Sequence, residues 1–558
     1  MLIADAQPNV DEDVRQVARH YHQRTKHRFE RYAAGPETLD WDAQPAPFRH
    51  FEDTVKIALP AIHDLKRNPA LMSAFNQPFE HLDAAIILPC NLATLGALLQ
   101  LSFGITAWKT LGPDRWAVRA NPSSGNLHPI EVYALVHGIS EIPDGIYHYC
   151  AESHSLEHRA DITVAANALP FLQIGLSSIM WREAWKYGER AFRYCQLDTG
   201  HAMGALSYAA AVLGWSVYED KQYSSQSLNQ LMGLDRKNDF PYKRFSETEQ
   251  EEAEVLLSIR FSEAPAVKPK STNRIATTHW HGVASRIDAH PMYRWPAVQE
   301  AAEATRYQPR PDLPFPHLAT PPTKHAESKN SLNSAANIIL GRRSAQRFDA
   351  RHTMPKQVFI QMIEALLPVA RFPWNTLASH PLINLILFIH RVEGITPGLY
   401  LLLRAPRLAA QLSQSLNSQF LCQPVLEIPE HIPLQLLTPA PSTALYRTAR
   451  SLHCHQDIAA NACFAVGMLA EYNAAISHDA SSYRDMHREA GLIGQVLYLQ
   501  AESHGLRGTG IGCFFDEPVH QLLGLADDTF QTIYHFTVGL PLEDSRISTT
   551  FTFEPTTI

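Results

Sequence analysis

Apolar positions along this chain fall into two signatures. One is a short unbroken run, the mark of a strand buried on both faces; the other is a longer segment at helical spacing. Residues 132–136 read as a buried strand, followed by a Pro143-Asp144-Gly145 turn and a short strand over 146–149. Residues 92–102 and 198–213 have helix character, and a strand over 255–261 closes this half. The second half predicts a helix over 357–367, a strand over 383–389, helices over 458–472 and 488–503, and a strand over 533–538. Helices with small sheets, occurring twice, argue for an α+β fold. Residues 84–108 are apolar enough to raise a membrane span. Pro89, Cys90, Asn91, Gln100 and Ser102 interrupt them, which favours a turn or strand and then a buried helix.

The two halves are related. Adding 291 carries Arg193 onto Arg484, Gly200 onto Gly491, Ala210 onto Ala501 and Gly214 onto Gly505. Gln230, Leu231, Gly233 and Leu234 land on Gln521, Leu522, Gly524 and Leu525. His128-Pro129 and His380-Pro381 begin a second matching block. A period this long denotes two whole domains, as in a homodimer fused into one chain, rather than a solenoid. Residues 1–80 form an N-terminal extension, with 21–27 in a helical pattern. Residues 81–262 form the first domain, and 263–332 a connector rich in proline (Pro309, Pro311, Pro314, Pro316, Pro321, Pro322) with one helix near 296–305. Residues 333–558 form the second domain.

Composition narrows the function. The chain has 558 residues, 45% hydrophobic and 19% charged, which is ordinary for a globular protein, and a net charge of −8, which argues against nucleic acid. Seven cysteines without C-x-x-C spacing suggest a reducing compartment. Residues 1–10 carry no signal-peptide pattern, so a cytoplasmic location is expected.

Four segments hold candidate chemistry. Arg119-Ala120-Asn121-Pro122-Ser123-Ser124-Gly125-Asn126 is a tight polar turn, which alone is a turn but also offers N–H groups and hydroxyls to an anion or a ring. Arg342-Arg343-Ser344-Ala345-Gln346-Arg347 is either a solvated basic turn or a phosphate clamp. Lys186-Tyr187 sits among aromatic residues, where a lysine pKa can shift toward proton transfer. Gly508-Thr509-Gly510-Ile511-Gly512-Cys513 lets backbone approach a ligand but lacks the dinucleotide fingerprint. His279 and His281 in the connector read as solvated histidines, and His453-Cys454-His455 offers metal-ligating or substrate-facing side chains. No metal site is expected.

Together these segments resemble the nitroreductase-like flavoprotein superfamily, in particular the tandem, fused members of its SagB-type branch, which includes azoline dehydrogenases. The resemblance covers 85–262 and 333–548, with 21–27 and Leu39-Asp40-Trp41 in the extension. It implies two nitroreductase-like domains forming an intramolecular pseudo-dimer with FMN between them. Arg342, Arg343, Ser344 and Gln346 would meet the phosphate, helped by Arg546. Gly510, Ile511 and Gly512 would line the isoalloxazine. Arg119, Pro122, Ser123, Ser124 and Asn126 would come from the first domain. Gln346 departs from the lysine or arginine of many relatives, and Arg347 is placed to compensate. Lys186-Tyr187 would handle the proton while flavin N5 takes the hydride.

The repeat bears on stoichiometry. No lysine or arginine occurs between Arg67 and Lys109, so the first domain lacks the arginine cluster, while the second has Pro373-Trp374-Asn375-Thr376 in place of the serine turn. Such complementary gaps leave one complete site, hence one FMN per chain. A fused pseudo-dimer needs no further partner for that site, so a monomer fits. The substrate would be a small molecule or a peptide, such as one carrying an azoline. Alternatives are an NAD(P)H-dependent nitro, quinone or enone reductase, and a non-catalytic flavin- or peptide-binding partner protein.

Overall fold

The computed structural model describes residues 10–241, 245–262, 275–309, 318–319 and 334–552. The expectations for residues 1–9, for the prolines at 311, 314, 316, 321 and 322, and for the start of the second domain at 333 lie outside the described residues.

Two antiparallel sheets share one strand order. In the first, Ser155–Thr163, Gly145–Cys150, Ile130–His137, Phe171–Ser178, Glu252–Arg260 and Ser216–Glu219 lie side by side. In the second, Leu434–Pro439, Gly398–Leu402, Ile383–Ile389, Phe464–Glu471, Phe530–Gly539 and Arg507–Ile511 repeat that order. The central strands have buried side chains on both faces, which is why the sequence shows unbroken apolar runs there. In Ile383–Ile389, Leu385 and Leu387 face the main core, whereas Ile386 and Phe388 join a separate cluster on the far side.

The helix expected over 458–472 is a correction. Asp457–Asn461 is a short helix, and Phe464–Glu471 is a strand in the middle of the second sheet. All eight residues of that strand are buried. A segment apolar on every side has no periodicity to separate strand from helix. The apolar stretch 84–108 resolves into the 12-residue buried helix Leu92–Phe103 and the strand Ile105–Leu111. Among the described residues no helix is long and apolar enough to cross a membrane.

Between the sheets lie two 22-residue helices, Ala191–Val212 and Ser482–Ser503. They cross at the repeated glycines. A methyl group on Gly200 would fall on the Arg488 carbonyl, and one on Gly491 would fall on the Leu197 carbonyl. Leu197 and Arg488 stand at the same offset of 291 as the glycines, so the crossing lies on a pseudo-two-fold axis. The helix ends repeat as well: Gly214 and Gly505 follow them at φ 73° and 69°.

The extension and the connector belong to this symmetry. Helices Val10–Arg24 and Pro296–Ala304 pack on each other near the seam. Arg193 Nε donates to Thr25 Oγ1 at 2.9 Å after the first helix, and Arg484 Nε to Thr305 Oγ1 at 3.1 Å after the second. Part of the expected connector is integrated into the fold: Ala276–Trp280 pairs with the Ser155–Thr163 strand of the first sheet, and Val283–Ala284 forms a separate two-stranded sheet with Phe51–Glu52. The C-terminal strand Ser548–Phe551 crosses over to pair with Ile105–Leu111 of the first half.

Candidate active site

A cavity of about 390 Å³ opens at the seam, within the size range of small-ligand sites. The first half supplies the turn from Asn121 to Asn126 with Tyr187, Asp198 and His201. The second supplies Arg342 to Gln346, Tyr498, and Thr509 to Cys513.

The serine turn is held by its own polar groups. Ser124 N donates to Asp198 at 3.0 Å and Ser124 Oγ to the same carboxylate at 2.9 Å. His128 N donates to Ser123 Oγ at 2.8 Å, and Asn126 Nδ2 to the Ala117 carbonyl at 3.0 Å. Gly125 takes φ 58° at the tip, where a side chain would strike Tyr187 Oη and Lys186 Nζ. The turn thus brings Lys186-Tyr187 and the cavity wall together. Asp198, which anchors the turn from the long helix, has its carboxyl pushed up to about 7 by burial.

The arginine segment follows helix Ala335–Gly341 and is tied to the strand Arg507–Ile511. Ala345 N donates to the Gly508 carbonyl at 3.0 Å, and Thr509 Oγ1 to the Ala345 carbonyl at 2.6 Å. The expected glycine loop is therefore an edge strand in its first half. Ser344 Oγ meets Tyr498 Oη at 2.9 Å, and Gly510 N donates to that hydroxyl at 3.0 Å. The two arginines differ. Arg342 reaches across the seam, donating to the carbonyls of Ala120 at 3.0 Å and Arg119 at 3.1 Å. Arg343 donates only through Nη1, to the Leu340 and Arg342 carbonyls, while its Nε and Nη2 are buried with no hydrogen-bond partner. Burial and the neighbouring Arg342 charge both disfavour the Arg343 cation. A buried guanidinium with two unspent donors is a seat for an anion, and a phosphate matches its fork. By this test the residues fit FMN.

The other expected residues divide. Pro122, Ser123, Ser124, Asn126, Ser344, Gln346, Gly510, Ile511 and Gly512 line the cavity. Arg119 lines it too, but its guanidinium turns away to the Pro47 carbonyl at 2.7 Å. Arg546 does not line it: this arginine is exposed and paired with Asp544 at 2.7 Å, so its expected phosphate contact is not met by its placement. A short local pair in solvent captures the side chain before it can reach inward. Arg190 and Arg193 join the halves instead, through the buried Asp516 at 3.3 and 3.1 Å. Despite burial, these two charges hold the Asp516 carboxyl well below the usual range.

Lys186 stands beneath Trp41 of the extension, Nζ 5.3 Å from the ring centre. Burial lowers its pKa, and Glu183 opposes that shift. Glu183 is itself buried with neither oxygen hydrogen-bonded, and burial raises its pKa well above the carboxylate range. Tyr187 is raised well above its ordinary value by burial and then Glu183, so its hydroxyl stays a donor.

Sequence reading missed Asp198, His201, Tyr498 and Tyr534, which look like helix or strand core. Cys513, beside the glycine segment, can be read either as a small buried residue or as a neighbour of a flavin, and it lines the cavity. The Cys513 thiol is in fact pushed down to about 5, by a hydrogen bond from Cys454 and another from His27. His453, Cys454 and His455 do not converge: His453 meets His535 at 2.9 Å in the core, and His455 packs on Phe515.

Aromatic rings gather at the pseudo-symmetric location. Phe79 follows helix Pro69–Asn76 as Arg343 follows its helix, and Phe372 precedes Pro373 as Asn121 precedes Pro122. Both rings close on Tyr208, with centroids 5.6 and 5.5 Å from it.

Comparison with known proteins agrees with this architecture. The nitroreductase family profile matches residues 107–242 and 339–540. "Putative nitroreductase MJ1384" of Methanocaldococcus jannaschii is 28% identical over 193 residues, 33% of this chain and 91% of that protein. The trifolitoxin-processing protein TfxB of Rhizobium leguminosarum bv. trifolii is 29% identical over 136 residues, 21% of this chain, and the match spans only 36% of TfxB. A solved nitroreductase-like structure from Anabaena variabilis superposes with a TM-score of 0.65 at 21% identity, covering 94% of this chain and 99% of that one, so the whole two-domain fold is shared. The first matched region takes in most of the first sheet with its long helix and the second takes in the second sheet with its long helix, and the chain belongs to the nitroreductase family as a duplicated, two-domain member.

Proposed function

We propose that this protein is an FMN-dependent oxidoreductase of the SagB type, with one flavin per chain at the seam. The observation that carries the reading is that Arg343, a buried cation with unspent donors, lines one cavity with Tyr187, whose neighbour Lys186 stands against the Gly125 tip of the serine turn. Arg343 and Ser344 would hold the phosphate, and the segment from Gly510 to Gly512 with the Ser123-Ser124 turn would flank the ring. Bound flavin supplies a hydride acceptor. The chain's own contribution is the proton. Burial favours the neutral amine of Lys186, which can take a substrate proton at Nζ, while the Tyr187 hydroxyl donates a hydrogen bond that orients the reacting atom. Trp41 and Trp185 meet edge to face beside this lysine, 5.4 Å between centroids.

The aromatic packing around Tyr208 supports a single flavin, and the completeness of the seam site within one chain supports function as a monomer. An azoline-bearing peptide is the proposed substrate class, and the similarity to the trifolitoxin-processing protein TfxB supports a processing role. The name of the archaeal relative favours a second reading, reduction of nitro compounds by NAD(P)H. Anaerobic stopped-flow mixing separates them. Rapid bleaching of the yellow protein by NADPH or NADH establishes the reductase. Inertness to both, with bleaching by an azoline peptide, establishes the dehydrogenase. A flavin-to-protein ratio near two contradicts the single site.

A further inference from the structure

His158 and Asp161 on one strand, and His281 just beyond the neighbouring edge strand, come together outside the lining of the seam cavity. His158 Nε2 lies 3.5 Å from Asp161 Oδ1, and His281 Nε2 lies 3.5 Å from Asp161 Oδ2. All three ligand atoms fall within 4.8 Å of one another. These separations are too long for hydrogen bonds. Other histidine–carboxylate pairs here do close: His137–Asp144 at 2.6 Å, His431–Glu364 at 2.8 Å and His148–Glu131 at 2.9 Å. At metal–ligand distances near 2.1 Å, the edge of a tetrahedral site is about 3.4 Å. The cluster is therefore spaced for a metal ion rather than for a proton.

Two further observations agree. A register shift interrupts each strand pairing here, one between Thr277 and His279 and the other opposite Ile146 and Tyr147, where His158 and Ala160 pair. Bulges of this kind re-aim side chains. His281 Nε2 is also buried without a hydrogen-bond partner. The His158 ring packs on that of His281, with 4.8 Å between centroids. Its Nε2 also lies 3.1 Å from the Ala160 carbonyl, which holds the ring in place through the proton that a metal would displace. By contrast, the cluster of His50, Cys150 and Glu157 already holds a cation, since Lys56 Nζ sits 2.8 Å from Glu157.

We infer that His158, Asp161 and His281 form a structural site for a divalent transition ion of the zinc class, which staples the connector strand Ala276–Trp280 to the first sheet. A water completes the tetrahedron, and the His279 ring, 4.7 Å from that of His281, stands ready to replace it. The test is titration of chelator-treated, full-length holoprotein with Co²⁺, read in the d–d region to the red of the flavin bands, together with Zn²⁺ displacement and metal analysis. One Co²⁺ per chain is expected, with tetrahedral-intensity bands and no thiolate charge-transfer band. His281→Ala and His158→Ala should each weaken binding by at least about 100-fold, and Cys150→Ala should leave it unchanged. Zn²⁺ should raise the melting temperature of the wild type but not of His281→Ala. Binding that survives both histidine substitutions, or the absence of a stoichiometric site in the wild type, overturns the inference.

Discussion

Replacing Arg343 by methionine tests the anion seat directly. The guanidinium has two buried donors, Nε and Nη2, with nothing to bond, while Nη1 is already committed to the Leu340 and Arg342 carbonyls. Each free donor can give a phosphate oxygen one charge-assisted hydrogen bond, worth about 1.5–3 kcal/mol. Two bonds amount to about 3–6 kcal/mol, so Arg343→Met should weaken FMN binding by about 10² to 10⁴. Arg342 is a poor substitute, because its Nε and Nη2 hold the Ala120 and Arg119 carbonyls. The assay is titration of flavin-stripped protein with FMN, followed by quenching of flavin fluorescence. Riboflavin, which lacks the phosphate, serves as the control, and its affinity should hardly change. An FMN dissociation constant within threefold of wild type, or an equal loss for riboflavin, would refute the assignment of Arg343 to the phosphate.

Other outcomes follow from the same geometry. Lys186→Ala should retain the yellow chromophore and lose turnover by about 10² or more; loss of flavin on purification would mark the lysine as structural. Gly200→Ala should lower stability by at least about 3 kcal/mol in thermal or urea denaturation, because the new methyl meets the Arg488 backbone. Gly505→Ala has open space and only its positive φ to oppose it, and should cost about 1–2 kcal/mol; equal losses would count against the helix crossing. The Cys513 thiol lies near 5, below its ordinary value, so the reactive thiolate forms as pH rises through about 5 and predominates at neutrality. Its alkylation rate by iodoacetamide should therefore change little between pH 7 and pH 9 (window set from the ordinary thiol near 8.5). A tenfold or greater rise over that interval would refute the depression, and His27→Ala should restore part of the rise.

Much of the fold was legible because the repeat left paired marks. Glycines at an offset of 291 could be read before anything was known of the helices they join, and the strand 383–389 was readable from its apolar run alone. The strand Phe464–Glu471 was not: buried on all sides, it carries no period to choose between strand and helix. The serine turn, the arginine pair and the segment Gly510 to Gly512 announced themselves as polar or glycine-rich interruptions, and they do line one cavity. Arg546 stands outside that lining, exposed and paired with Asp544 two residues away, a placement set by a local ion pair rather than by residue type.

By itself, then, the sequence determined that there are two like domains, that their polar segments are complementary, and which residue types could meet a phosphate, a ring and a proton. Those are properties of composition and spacing. The tertiary structure alone decided which arginine keeps its donors free, that Asp198 anchors the serine turn, that Phe79 and Phe372 pack on Tyr208 at the second location, and that His281 meets His158 and Asp161. Most of these depend on contacts between residues far apart along the chain; even Asp198 and Ser124 are separated by 74 positions. Hydrogen-bond satisfaction and ring packing act over a few ångströms in space, and no local pattern along the chain records them.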